Sequence, residues 1–150
     1  MIYNLKDHRC KEILHNNYIG HLGYVYNNKP FVLPITYYYN ILQNTITCYS
    51  GEGHKINALR TNSNVSLEVA EIESLNQWQC VVIEGQFREF EGSSAKLNLH
   101  KFYEGVKRLI EEKEGKSPKF ISEFSSKLYR EGQPIVFEIA VSALTGRERK

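Results

Sequence analysis

The chain of 150 residues has almost no excess of either charge: 19 Lys and Arg against 17 Asp and Glu leave a formal net charge of +2. The basic residues are interleaved with acids, as in LIEEKEGK, so there is no electrostatic footprint for nucleic acid. Cysteine is scarce. Cys10, Cys48 and Cys80 are odd in number and far apart, with no CxxC or Cys/His spacing, which argues against a disulfide framework or a zinc site. Free thiols in a reducing compartment are the expected state. No apolar run approaches the roughly 18 residues of a membrane span. The opening MIYNLKDHRCKEIL lacks the charged-then-apolar layout of a signal peptide, so a cytoplasmic setting without membrane contact is expected. Internal repeats and low-complexity linkers are also missing. Residues 1–150 therefore read as a single domain, long enough for one real core.

What the chain does have is tyrosine, ten in all, and β-type sequence in its first two thirds. A short helix is expected over about 6–17, with Cys10, Ile13 and Leu14 on one face. YIGHLGYVYNNKPFVLPITYYYNILQNTITCYS reads as three strands, with Asn27-Asn28 as a tight turn and Tyr39 to Asn44 as a second. Pro34 cannot donate to a sheet ladder and should mark an edge, a bulge or an opening. If Tyr37 and Tyr39 face inward, Tyr38 lies on the other face. A short helix over about 54–62, strands at Val65 to Ile72 and Gln79 to Phe90, and a helix from Ser93 to Glu114 follow. In the second of those strands Val81, Ile83 and Phe87 alternate with Glu84, Gln86 and Arg88, as one buried face requires. A further helical piece at about 119–129 and a sixth strand, IVFEIAV at 135–141, close the chain. This order predicts an α+β fold with six mainly antiparallel strands and flanking helices, enough for a small, partly open barrel.

The most informative stretch is CYSGEGHKINAL, residues 48–59, a strand-to-helix junction. Gly51 and Gly53 let the backbone approach a ligand, the helix start attracts anions, and Ser50, His54 and Lys55 add donors and charge. A phosphate monoester, at about −1.5 to −2 charge, suits such a corner. A flexible loop leading into a solvated helix is the alternative from these residues alone. The P-loop spacing is absent.

Four blocks in order, GHLGYV (20–25), KPFVLPITY (29–37), CYSGEGHKINAL (48–59) and CVVIEGQF (80–87), resemble the pyridoxamine 5′-phosphate oxidase-like family. More narrowly they resemble its flavin-nucleotide-binding branch, which includes nitroimidazole-resistance (Nim-type) proteins. The similarity runs from about residue 8 to residue 110, and weakly to the terminal strand. The resemblance implies a split β-barrel that dimerises and binds FMN in the groove between subunits. It implies that Ser50, His54 and Lys55 hold the FMN phosphate. Leu33, Pro34, Ile35, Thr36 and Tyr37 would run beside the isoalloxazine ring, with backbone groups and Thr36 at its polar edge. Cys48 and Tyr49 would end the next flavin-side strand, and Cys80 would begin another that touches the flavin.

The chain also departs from the family. Cys48 stands where Nim-type relatives often have histidine, and His54-Lys55 where the oxidase has an arginine-lysine pair. Basic residues flanking the flavin strand are missing around Val32 to Tyr38, and ALTGRERK is not the oxidase's substrate-binding tail. Oxidation of pyridoxamine phosphate itself is therefore not expected. An FMN-dependent oxidoreductase of unassigned substrate is, with the flavin doing the electron or hydride transfer. No catalytic acid or base stands out. The alternative from another class is a non-catalytic flavin- or haem-binding module, for which His21, His54 and His100 would be available. Trp78 reads as a core or interface aromatic, or as a neighbour of a partner subunit's flavin.

Overall fold

The computed structural model describes residues 1–115 and 134–150; the helical piece expected at about 119–129 lies outside the described residues. In chain order the elements are β1 (Ile2–Asn4), α1 (Asp7–Asn16), β2 (Ile19–Tyr26), β3 (Lys29–Thr36), β4 (Tyr38–Asn40), β5 (Thr45–Ser50), α2 (His54–Thr61), β6 (Asn64–Ser74), β7 (Gln77–Glu89), α3 (Gly92–Glu114) and β8 (Ile135–Arg149). The described strands number eight, against the six expected. The two additions, β1 and β4, are only three residues long, too short to show a period. β8 also runs eight residues further than IVFEIAV suggests. Its extension, SALTGRER, is polar because much of it is exposed, and it is held by ladder bonds to β7 and β1 rather than by burial.

All described pairings are antiparallel, and the strand order is β3-β2-β6-β7-β8-β5-β4, with β1 added on β8. β3 and β4 are separated in sequence by Tyr37 alone, yet they stand at opposite ends of this order. The sheet must therefore curl until its two edges meet at one corner, without a ladder to close it. That is a split barrel. Tyr37 marks the corner: its amide donates to the Tyr18 carbonyl at 2.8 Å and its hydroxyl to the Leu14 carbonyl at 2.8 Å. Pro30 and Pro34 sit in β3, an edge strand, where a missing amide leaves no broken ladder bond.

Alternation fills the barrel. Along β7, Val81, Ile83, Gly85 and Phe87 are buried while Val82, Glu84, Gln86 and Arg88 are exposed. Leu22 and Tyr24 of β2, Val65, Leu67 and Val69 of β6, and Phe137 and Ile139 of β8 join them in one core, which α1 caps with Cys10, Ile13 and Leu14. Tyr37 and Tyr39 are buried and Tyr38 lies on the opposite side, as the period of two demands. On that opposite side α3 lays Phe102, Val106 and Ile110 against Tyr38 and Tyr49, forming a second cluster. Turns follow residue chemistry. Asn27 and Asn28 take φ of 49° and 61°, the signature of a type I′ hairpin. Gly115 ends α3 in the left-handed region at φ 68°. Among the described residues no helix is long and apolar enough to cross a membrane.

Candidate functional site

β5 delivers Ser50 to the corner, and four residues later, at His54, α2 begins. Gly53 precedes that helix in extended backbone, and no side chain caps it. The first helical bond is Asn57 N–H to the Gly53 carbonyl at 3.0 Å, so the amides of His54, Lys55 and Ile56 precede the ladder and point out of the helix start. No acidic residue occupies the first turn. Nothing lies within 4 Å of where a Cβ would stand on Gly51 or Gly53, so the loop leaves room for a guest. The helix is seated by Ile56, Ala58 and Leu59, all buried.

Three side chains surround this corner. Ser50 donates its hydroxyl to the Gly51 carbonyl at 3.0 Å. Lys55 is half-buried, and burial holds its ammonium below the usual lysine range. His54 turns its ring onto the β2–β3 hairpin, with centroids 4.8 Å from Phe31, 4.9 Å from Tyr26 and 5.8 Å from Tyr24. The Tyr24 hydroxyl lies 3.0 Å from His54 Nδ1. When that hydroxyl donates, the ring proton sits on Nε2, the nitrogen left to meet a ligand. Tyr24→Phe keeps the ring stack on Phe31 (5.4 Å between centroids) but leaves Nδ1 without its partner. It should cost about 1 kcal/mol, seen as a lower urea midpoint at unchanged slope.

The other expected site residues divide by strand parity. Pro34 and Thr36 face outward from β3, whereas Ile35 and Tyr37 are buried in the core and Leu33 packs against it. Cys48 is fully buried and burial pushes its thiol up to about 12, so it is not a thiolate at neutral pH. Tyr49 faces α3, edge-on to Phe102 at 5.1 Å between centroids. Cys80 pairs with Arg147, while Cys48 pairs with Phe137, which pairs in turn with Glu89. From Cys80 to Glu89 is about 30 Å along the strand, so Cys80 does not share the Ser50 corner within one chain. Ser50, His54 and Lys55 are the residues the fold gathers.

Sequence reading missed the aromatic seat of His54 and the ion pairs around the loop. Tyr24, Tyr26 and Phe31 read only as parts of two expected strands. The Arg60 guanidinium joins Glu52 in the loop to Glu89 at the end of β7, and nothing in the local spacing pairs residues 52, 60 and 89. The outer side of the sheet carries a groove of about 450 Å³ lined by Gly23, Val25, Val32, Ser66, Glu84 and Gln86. Large apolar side chains are exposed on that side: Val32 is 71% exposed and Ile72 74%. The histidines of the haem alternative lie apart, His21 beside Glu68 on β2, His54 on α2 and His100 on α3. Among the described residues no three His, Cys, Asp or Glu side chains are grouped to hold a metal.

Comparison with known proteins agrees with this architecture. The chain is 34% identical over 80 residues to an uncharacterized protein of Rhizobium meliloti (strain 1021), a stretch covering 53% of this chain and 52% of that protein. The match thus spans about half the length of the curated relative. Among solved structures, a FAD-binding protein of Mesorhizobium loti superposes with a TM-score of 0.76 at 24% identity, over 100% of this chain and 99% of that one. A Bacteroides thetaiotaomicron protein provisionally assigned to 5-nitroimidazole antibiotic resistance gives 0.72 at 16% identity, over 99% and 87%. At these identities the likeness carries the fold. A family model described as pyridoxamine 5′-phosphate oxidase matches residues 6–147, nearly the whole chain. The ordered motifs, the split barrel and this match converge: the chain belongs to the pyridoxamine 5′-phosphate oxidase family.

Proposed function

We propose that the chain is the subunit of a homodimeric FMN-binding oxidoreductase, with the flavin phosphate at the β5–α2 corner. The observation that carries this reading is a half-buried lysine beside an uncapped helix start, in a glycine loop with room around it. Burying an ammonium costs stability, and an anion beside it offsets that cost. A phosphate monoester brings the largest charge that a flavin mononucleotide can offer. Lys55 Nζ, the amides at the start of α2 and Nε2 of His54 would bind it, with Ser50 able to turn its hydroxyl toward it. Pro34 and Thr36, on the outward face of β3, would border the ring.

A second copy is part of the proposal. The exposed face built from Ile19, Val25, Val32, Ile72 and Val82 is apolar enough for a subunit interface. The groove lies on it, and a twofold partner would complete its walls. Cys80 and Trp78 would then act from the partner's side rather than within one chain. Once bound, the flavin supplies electron or hydride transfer, and the protein supplies position and electrostatics. Family membership does not carry over the oxidase's substrate, since no basic residues flank Val32 to Tyr38.

The test is reconstitution of flavin-free protein with FMN, FAD and riboflavin, followed by flavin fluorescence, together with mass in solution. FMN should bind most tightly and the mass should be twice that of one chain. Equal affinity for riboflavin would remove the phosphate assignment, and a monomer that binds FMN fully would remove the partner.

A further inference from the structure

We infer that Arg60 is a positioning residue for the anion site: it holds the Glu52 carboxylate away from the start of α2, keeping the helix amides and Lys55 open to a phosphate. This rests on the FMN reading above. Glu52 lies between Gly51 and Gly53 and is the acid nearest the helix start in sequence. A carboxylate placed just before a helix is drawn to its first amides, as in capping, and would compete there with any anionic ligand. In this protein α2 has no side-chain cap.

Glu52 is occupied elsewhere. Arg60 Nη1 donates to one Glu52 oxygen and Nη2 to the other, each at 3.0 Å. This two-pronged geometry is one that arginine provides and lysine does not. The guanidinium is anchored in turn by Glu89, at 2.8 Å from Nε and 2.7 Å from Nη2. Glu89 ends β7, so the loop acid is tied to the sheet. The arrangement leaves the corner's charge to Lys55 and the helix end. All three side chains are partly exposed, so the expected effect is moderate.

The experiment compares FMN and riboflavin affinities of wild type, Arg60→Ala, Arg60→Lys, and Arg60→Ala combined with Glu52→Gln. Arg60→Ala should weaken FMN about three- to fivefold and leave riboflavin unchanged. Glu52→Gln should restore FMN affinity in the Arg60→Ala background, because the freed competitor is then neutral. Arg60→Lys should lose part of the FMN affinity, which keeps the test open if Arg60→Ala folds poorly. Equal losses for FMN and riboflavin without rescue would make Arg60 a mere loop brace and overturn the inference. So would unchanged FMN affinity in both Arg60 variants. Failure of the underlying reading looks different. Wild type would then show no preference for FMN over riboflavin, whereas loss of that preference in Lys55→Ala but not in either Arg60 variant would sink the inference alone.

Discussion

Replacing Lys55 with methionine is expected to lower FMN affinity by about ten- to a hundredfold while raising the melting temperature of the flavin-free protein by about 1–3 °C. The two effects have one cause. Methionine keeps most of the apolar stem and removes only the charge. Hydrogen bonds to a charged group are worth about 1.5–3 kcal/mol, which sets the affinity loss. The stability gain follows from the direction of the pKa shift. Burial lowers Lys55 from the 10.5 of a free lysine, so between the lowered value and 10.5 the unfolded chain holds more protons than the folded one. Stability therefore rises with pH across that window, and the cost of the buried charge is fully present below it. The melting difference between wild type and Lys55→Met should be largest near neutral pH and shrink as pH climbs toward 10.5. Lys55 is only half-buried, so solvent screening keeps the gain to a few degrees at most. Melting scans at several pH values, with FMN titrations at pH 7, measure both effects. Unchanged FMN affinity would remove Lys55 from the site, and a drop in flavin-free melting would make it an ordinary packing residue.

A residue expected both to weaken its own fold and to tighten a ligand is hard to read from sequence, because sequence shows charge but not burial. What was legible were the features that repeat locally. The period of two in β7, the paired asparagines of the β2–β3 turn and Pro34 as a break in the ladder each depend on a residue and its close neighbours. The strand-to-helix junction was legible for the same reason, since Ser50, Gly51, Gly53, His54 and Lys55 fall within one short stretch, 50–55. Parity was the harder part. The expected ligand-side segment, Leu33 to Tyr37, could present only alternate side chains to a ligand. The fold sends Ile35 and Tyr37 into the core. Pairings set by curling of the sheet were invisible: Arg60 with Glu89, Tyr24 with His54, and the distance of Cys80 from Ser50 all depend on which strands the barrel brings together.

Gly85→Ala should be the most destabilising single methyl in the chain's sheet, about 2–4 kcal/mol, or a fall of roughly 4–16 °C in melting temperature. Gly85 lies in the EGQF part of the motif that resembles the family, where sequence gives no reason for it. The ladder gives one. β7 and β8 pair Glu84 with Ala143, then Gly85 with Val141, which leaves Ser142 as an extra residue on β8. Ser142 spans the irregularity by donating its hydroxyl to the Glu84 carbonyl at 3.1 Å. At this elbow β8 changes partners. Residues before it pair with β5, and residues beyond it reach β1. The bend presses the strands together, so a Cβ on Gly85 would stand 2.3 Å from the Ala140 carbonyl oxygen and 2.6 Å from Ile139 Cγ2. The first obstacle is backbone and cannot rotate away, so relief requires opening the bulge itself. Gly23→Ala is the matched control on β2: its new methyl would find Ser66 Cβ at 3.8 Å and the Phe31 carbonyl oxygen at 3.9 Å, ordinary contact, and should change stability by about 0.5 kcal/mol or less. Similar melting temperatures for the two variants would mean that the elbow yields, and that the close approach at Gly85 does not hold the barrel's shape.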